Sequence, residues 1–189
     1  MLHLSEEPFT SIEEYIRVPI SFIVERVFDV PVGADVRGIG TFMERSLTHP
    51  YELNYDLVEP PLDWSKTFDI TNWGMFIVRQ DDRIVGGALA AFKDKTCTML
   101  EGRDDLAVLW DIRVSPEYRQ RGIGSMLFRA AETWARSRHC GELKIETQNV
   151  NVPACRFYSR MGCELGKVNH HAYPNQPDQI QMLWYKHIL

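Results

Sequence analysis

Arg119-Gln120-Arg121-Gly122-Ile123-Gly124 lies between a run that reads as a strand and a run that reads as a helix. The segment before it, Leu106-Ala107-Val108-Leu109-Trp110-Asp111-Ile112-Arg113-Val114, is apolar and β-branched, and Ser115-Pro116-Glu117 breaks it. After it, Ile123, Met126, Leu127, Ala130 and Trp134 recur at i, i+3, i+4, i+7 and i+11, the period of an amphipathic helix over about 122–138. Glycines let a ligand approach the backbone closely, and the first N–H groups of a helix carry partial positive charge. Strand, glycine turn, helix is an order that suits a diphosphate. The same six residues also read as a tight turn that merely starts a helix, and a second signal is needed to choose between the two readings.

Outward from this stretch the pattern stays regular on the C-terminal side. Residues 142–147 read as a strand, 152–161 as a helix, and 163–170 and 179–186 as two further strands. Upstream, Met75–Arg79 and Ile84–Phe92 flank Gln80-Asp81-Asp82-Arg83 as a β-hairpin, and a weaker strand is expected near 97–100. Antiparallel hairpins followed by β-α-β-α-β-β imply an α/β fold with a mixed sheet and helices on its faces. The N-terminal third is less regular. Residues 1–17 are polar and mixed and read as a partly mobile start, and Ile20–Val30 reads as a strand. Pro31, Gly33, Gly38 and Gly40 punctuate residues 31–40, and Pro50, Pro60 and Pro61 mark a stretch expected to be rich in loops.

Composition narrows the function classes. A chain of 189 residues suffices for one well-buried domain, expected to span 1–189. No run of roughly 18 apolar residues is present, so no membrane partner is expected. The start, Met1-Leu2-His3-Leu4-Ser5-Glu6-Glu7, lacks the basic and apolar parts of a signal peptide, which makes the cytoplasm the expected location. The net charge of −5 argues against a nucleic-acid partner and suits a cationic small molecule. Cys97, Cys140, Cys155 and Cys163 form no Cys-x-x-Cys pair, so reduced and mostly buried thiols are expected. His170 and His171, read as strand neighbours, point to opposite faces and cannot share an ion, and no metal is expected.

The second signal is Glu146-Thr147-Gln148-Asn149-Val150-Asn151-Val152-Pro153-Ala154-Cys155-Arg156-Phe157-Tyr158-Ser159-Arg160-Met161-Gly162-Cys163. An Asn, a small residue, an aromatic-Tyr pair and a Gly stand in it at fixed spacing. Together with Arg119-x-x-Gly122-x-Gly124 upstream, it resembles the paired signatures of the GNAT acetyltransferase superfamily. Asp111-Ile112-Arg113-Val114, the Glu146-Thr147-Gln148 strand end, Ala154-Cys155-Arg156-Phe157-Tyr158 and Leu183-Trp184-Tyr185 sharpen the resemblance toward the streptothricin acetyltransferase branch. It spans about 106–185, within a motif-bearing core of about 75–186. That branch commonly carries an acidic residue where this chain has Trp110, and another near the final strand, where it has Gln179. Both departures remove negative charge that could hold an amine.

The resemblance implies a GNAT acyl-CoA N-acyltransferase fold, a central, mostly antiparallel mixed sheet flanked by helices, with acetyl-CoA as co-substrate. It implies that the diphosphate rests on the amides of Gln120, Arg121, Gly122, Gly124 and Ser125, with charge from Arg119 and Arg121. It implies that the pantetheine arm follows Ile112 to Val114, where a backbone N–H near Val114 would polarise the thioester carbonyl. Asn151 reads as a helix N-cap, and the resemblance adds a hydrogen bond to the pantetheine arm. Tyr158 reads as a core aromatic, and the resemblance makes it the general acid for the departing thiolate.

The acceptor is read less directly. A lysine-type amine has a pKa near 10.4, so about one part in two thousand is neutral at pH 7 and a base should help. Asp111 and Glu146 are the candidate base or amine anchor; the plainer reading pairs them with Arg113 or Lys144. Glu44, Glu52 and Asp56 are the reserve candidates. A small cationic amine, a streptothricin-like antibiotic among them, is the expected acceptor. A protein amine, a polyamine, or a non-catalytic acyl-CoA-binding regulator are the alternatives. A nucleotide-binding module fits less well, because the turn lacks both the Lys-Ser/Thr of a P-loop and a third dinucleotide-type glycine. Whether the chain forms a homodimer stays open.

Overall fold

The computed structural model describes residues 1–33 and 39–188, so Gly38 and part of the punctuated stretch lie outside the described residues. In chain order the elements are β1 (Leu2–Glu7), α1 (Ile12–Tyr15), β2 (Phe22–Asp29), β3 (Met43–Leu53), α2 (Trp64–Thr67), β4 (Gly74–Gln80) and β5 (Arg83–Ala91). Then come β6 (Leu106–Val114), α3 (Ile123–Ser137), β7 (Glu142–Gln148), α4 (Val152–Arg160), β8 (Glu164–Asn169) and β9 (Gln181–His187). The chain divides into two compact units, one holding residues 1–21, 54–143 and Ile188, the other residues 22–53 and 144–187.

In the first unit β1, β4, β5 and β6 lie side by side in that order, each pair antiparallel. The β4–β5 hairpin turns at Asp81, whose φ of 55° is the left-handed conformation that such tight turns demand. Two adjacent glycines show how the sheet is covered. A Cβ on Gly86 would sit 2.9 Å from Ile123 of α3, and one on Gly87 would sit 2.5 Å from the Tyr15 ring. Gly86 therefore lets α3 press onto one face, and Gly87 admits Tyr15 to the other. Ile123, Leu127 and Trp134 of the expected stripe are buried, but Met126 and Ala130 are only half-buried and Phe128 and Ala131 take their place in the core; each large apolar side chain so buried contributes about 1.5–3 kcal/mol. Tyr15, Trp64, Met75, Ile77 and Leu89 form a core cluster on the opposite face.

β6 carries one residue too many for its ladder. Asp111 is opposite Leu89 and Leu109 is opposite Ala90, which leaves Trp110 bulged between them. Trp110 consequently shares a face with Asp111. It packs among Phe68, Trp73 and Trp64 at centroid distances of 4.8, 5.3 and 6.5 Å.

In the second unit β2 and β3 pair antiparallel, as do β8 and β9, with β9 between β7 and β8. Val24, Val27 and Val150 make its small apolar cluster, and Cys155, Met182 and Trp184 are fully buried.

Several expectations need correction. The stretch around Pro50 is not loop but part of β3, an eleven-residue strand. Pro50 is tolerated because the β2–β3 register shifts between Val24 and Arg26, so the residue that cannot donate falls where the ladder is interrupted. Residues 98–100 form a single 3-10 turn in place of the weak strand. His170 and His171 lie in the turn after β8, not on a strand. All four cysteines are free and buried. Among the described residues no helix is long and apolar enough to cross a membrane, and no three His, Cys, Asp or Glu side chains gather as for a metal.

Candidate active site

The turn between β6 and α3 is built to present backbone. Gln120 and Gly122 both have positive φ, 62° and 84°, which turns the chain sharply before the helix. Gly122 is the N-cap of α3, and no side chain caps it. A Cβ there would meet nothing within 4 Å, so the space in front of the helix is open. The first amides of a fifteen-residue helix are thus left without the capping carboxylate or hydroxyl that ordinarily satisfies them, and a helix start of this kind favours negative charge through its dipole. Arg119, Gln120, Arg121 and Gly122 are exposed, whereas Gly124 and Ser125 are half-buried. An open groove lined by Gly122, Ser125, Met126 and Arg129 on one side and by Leu4 and Phe76 on the other continues from the turn.

The two arginines of the turn differ. Arg119 donates from Nε to the Val114 carbonyl at 3.1 Å and from Nη2 to the Ser21 carbonyl at 3.0 Å, so it braces the turn. Although the residue as a whole is exposed, partial desolvation of the guanidinium between these two carbonyls lowers its pKa. Arg121 is exposed, its guanidinium over the Tyr118 ring at 5.2 Å.

On β6, Asp111 and Arg113 are buried and alternate with half-buried Ile112 and Val114. Arg113 donates from Nε to Asp111 Oδ1 at 3.0 Å and from Nη2 to Asp111 Oδ2 at 2.7 Å. It also donates to both oxygens of Asp56, at 2.9 and 3.0 Å, and to the Val18 carbonyl at 3.1 Å. The Tyr15 hydroxyl donates to Asp111 as well. Burial, then the Asp111 charge, holds the Tyr15 phenol well above its usual pKa. Burial disfavours the Arg113 cation, but Asp111 above all outweighs it and keeps Arg113 firmly protonated. Asp111 has therefore taken the pairing role that its neighbour Arg113 offered.

In the second unit Asn151 caps α4, its Oδ1 accepting the Ala154 N–H at 3.2 Å, with Pro153 in the first turn where its missing N–H does no harm. Tyr158 is 5% exposed and its ring lies 5.4 Å from Phe157 and 6.3 Å from Trp184. Glu146 accepts from the Tyr173 hydroxyl at 2.5 Å and from Gln181 Nε2 at 2.8 Å, and Gln148 Nε2 donates to the same Tyr173 oxygen at 2.9 Å. Glu44 is held by Arg26 and Arg156, and Glu52 is exposed. The structure thus groups Asp111, Ile112, Val114 and the 119–125 turn in the first unit, and Glu146, Asn151 and Tyr158 in the second.

Sequence reasoning passed over Tyr15 and Asn149. The latter is buried, accepts the Ile180 N–H at 2.8 Å and donates to the Phe28 carbonyl at 3.1 Å. Asn149 stood inside the second motif, where an amide next to a strand end signals backbone bridging. Tyr15 sat in a stretch without periodicity and gave no such signal.

Comparison with known proteins places the chain in a family. Residues 41–163 match the family model "Acetyltransferase (GNAT) family". Streptothricin acetyltransferase of Escherichia coli is 31% identical over 167 residues, covering 87% of this chain and 84% of that protein. Streptothricin acetyltransferase A of Bacillus subtilis (strain 168) is 27% identical over 161 residues, covering 84% and 86%. Among solved structures, a proposed streptothricin acetyltransferase from Bacillus anthracis str. Ames, in complex with acetyl coenzyme A, superposes with a TM-score of 0.78 at 23% identity, covering 99% of this chain and 98% of that one. That likeness shows the fold expected from the sequence. With the family model spanning well over half of its length, the chain belongs to the GNAT acetyltransferase family.

Proposed function

We propose that this chain transfers the acetyl group of acetyl-CoA to a primary amine of a small cationic acceptor of the streptothricin type. The observation that carries the donor half is the uncapped start of α3 behind an open Gly122, a fit for a diphosphate that a side chain at that position would spoil. Relatives bearing the streptothricin name over more than four fifths of the chain support the acceptor half.

Acetyl-CoA supplies an activated acyl group on a thiol leaving group. Amides of Gln120, Arg121, Gly122, Gly124 and Ser125 hold its diphosphate, and the Arg121 guanidinium adds charge. The strand backbone from Ile112 to Val114 lines its arm, and the Val114 N–H polarises the carbonyl that the amine attacks. Asn151 orients the arm while capping α4. The Tyr158 phenol gives its proton to the leaving sulfur. Glu146, held from two sides, anchors the amine; Asp111, already saturated by Arg113 and Tyr15, orients its own strand. With both carboxylates engaged, the amine loses its proton through water.

An acceptor screen with acetyl-CoA, reading free thiol, tests the proposal. Thiol release with streptothricin-type amines ahead of polyamines and N-terminal peptides is expected. Preference for a peptide or polyamine would overturn the acceptor half alone, and acetyl-CoA binding without release to any amine would point to a regulator.

A further inference from the structure

We propose that Arg113 is a positioning residue for acetyl transfer, fixing the backbone of residues 112–114 from a closed socket of which Asp56 is the outer wall. The proposal rests on the reading above that this segment lines the donor.

A guanidinium has five N–H bonds. In Arg113 the Nε–H goes to Asp111, the two on Nη1 to Val18 and Asp56, and the two on Nη2 to Asp56 and Asp111. All five are spent within the protein, the side chain is 0% exposed, and its plane lies over the Tyr15 ring at 4.7 Å. Arg113 has nothing left with which to touch a ligand, so any effect on the reaction must pass through its own backbone.

That backbone needs holding. The Trp110 bulge interrupts the β5–β6 ladder directly upstream, and the strand ends at Val114 directly downstream. Between these two weak points the socket ties the segment to α1 through Tyr15, to the chain after α1 through Val18, and to the turn after β3 through Asp56. Arg119 pins the last carbonyl, that of Val114. Buried ion-pair clusters of this kind add little stability over an apolar core of the same volume, and their better-attested gain is a defined geometry. A displacement of about 1 Å at a polarising donor costs on the order of 100-fold in rate, which makes such a fix worth having.

Two variants test this. Arg113→Lys keeps the charge and loses the fork; Asp56→Asn keeps the shape and loses one charge at the half-exposed wall. Amide hydrogen exchange at residues 112–114 should accelerate about tenfold or more in both, against unchanged exchange in β4. The kcat should fall roughly 10- to 100-fold in Arg113→Lys and a few-fold in Asp56→Asn, while acetyl-CoA affinity by calorimetry stays within about threefold and Asp56→Glu restores part of the loss. Wild-type exchange at 112–114 in folded variants, or a kcat loss matched by an equal loss of acetyl-CoA affinity, would overturn the proposal. Should Arg113→Lys fail to fold, Asp56→Asn decides alone. Hydrogen exchange needs no acceptor, so a wild-type chain that acetylates no amine would refute the acceptor reading and leave the positioning test standing.

Discussion

The turn at 119–125 and the socket around Arg113 stand a few residues apart on the chain and are built on opposite plans. The turn leaves donors unspent: an uncapped helix start, two positive φ angles and exposed side chains face open space. The socket spends every donor it has, in a place solvent does not reach. Unspent backbone donors cost a protein stability, and they persist where an anion is to be received; saturated side-chain clusters receive nothing and hold what surrounds them. Affinity should therefore respond to changes in the turn, and stability to changes in the socket.

The largest break in this contrast is Gly124→Glu. A carboxylate in the first turn opposes the diphosphate, and acetyl-CoA affinity should fall on the order of 100-fold or more by calorimetry. The same charge favours the helix dipole, so the thermal midpoint should hardly move. Unchanged affinity in the folded variant would remove the turn from the donor site.

Next in size is Tyr158→Phe, expected to lower kcat roughly ten- to a thousandfold with little change in acetyl-CoA affinity in steady-state assays. Full activity would return Tyr158 to a packing role beside Trp184 and Phe157.

Tyr15→Phe probes the socket. Losing its hydrogen bond to the Asp111 carboxylate should cost about 2 kcal/mol in urea unfolding at neutral pH, with acetyl-CoA affinity intact. Because the folded phenol titrates well above the unfolded one, near 10, the wild-type chain binds the extra proton only when folded. Its Tyr15-linked stability is complete below about pH 10 and is lost as pH rises beyond it, so the gap between wild type and Tyr15→Phe should narrow in alkali. A gap constant from pH 8 to 11 would contradict the buried pairing.

The smallest effect expected is Glu146→Gln, a few-fold rise in acceptor KM with kcat at saturation preserved, since Tyr173 and Gln181 still hold the side chain in place. A kcat depressed at low pH and recovering as pH rises would instead make Glu146 the base.

Where local chemistry decides the structure, the chain is legible. Leu106–Val114, α3, α4 and the hairpin at Asp81 lie within a residue or two of where apolar period and turn residues put them. Asn151 shows its cap and the glycine turn its open geometry for the same reason. Legibility fails where a distant partner decides. Pro50 argued for loop until the β2–β3 register supplied a gap for it, and Tyr15, in a polar stretch, is buried only because Gly87 and Asp111 make room and a partner for it. Asp111 was legible as a site-region carboxylate, yet its choice between amine and arginine depended on Asp56 and Val18, more than fifty residues away in sequence.

The additional residue at Trp110 acts as a half-period phase shift in a two-state alternation. Upstream of it, Val108 faces the aromatic side and Leu109 faces α3; downstream, Asp111 and Arg113 face the aromatic side, and Ile112 and Val114 face α3. Delete Trp110 and Leu109 and Asp111 become neighbours opposite Ala90 and Leu89, so the alternation runs on and every downstream side chain keeps its face; absorb it into the ladder instead and Asp111 and Arg113 would turn beneath α3 while Ile112 and Val114 turned toward Tyr15. A one-residue deletion at Trp110 is therefore expected to spare the register and to cost the indole's packing among Phe68, Trp73 and Trp64, so a lineage carrying this bulge can shorten the strand there without turning it over.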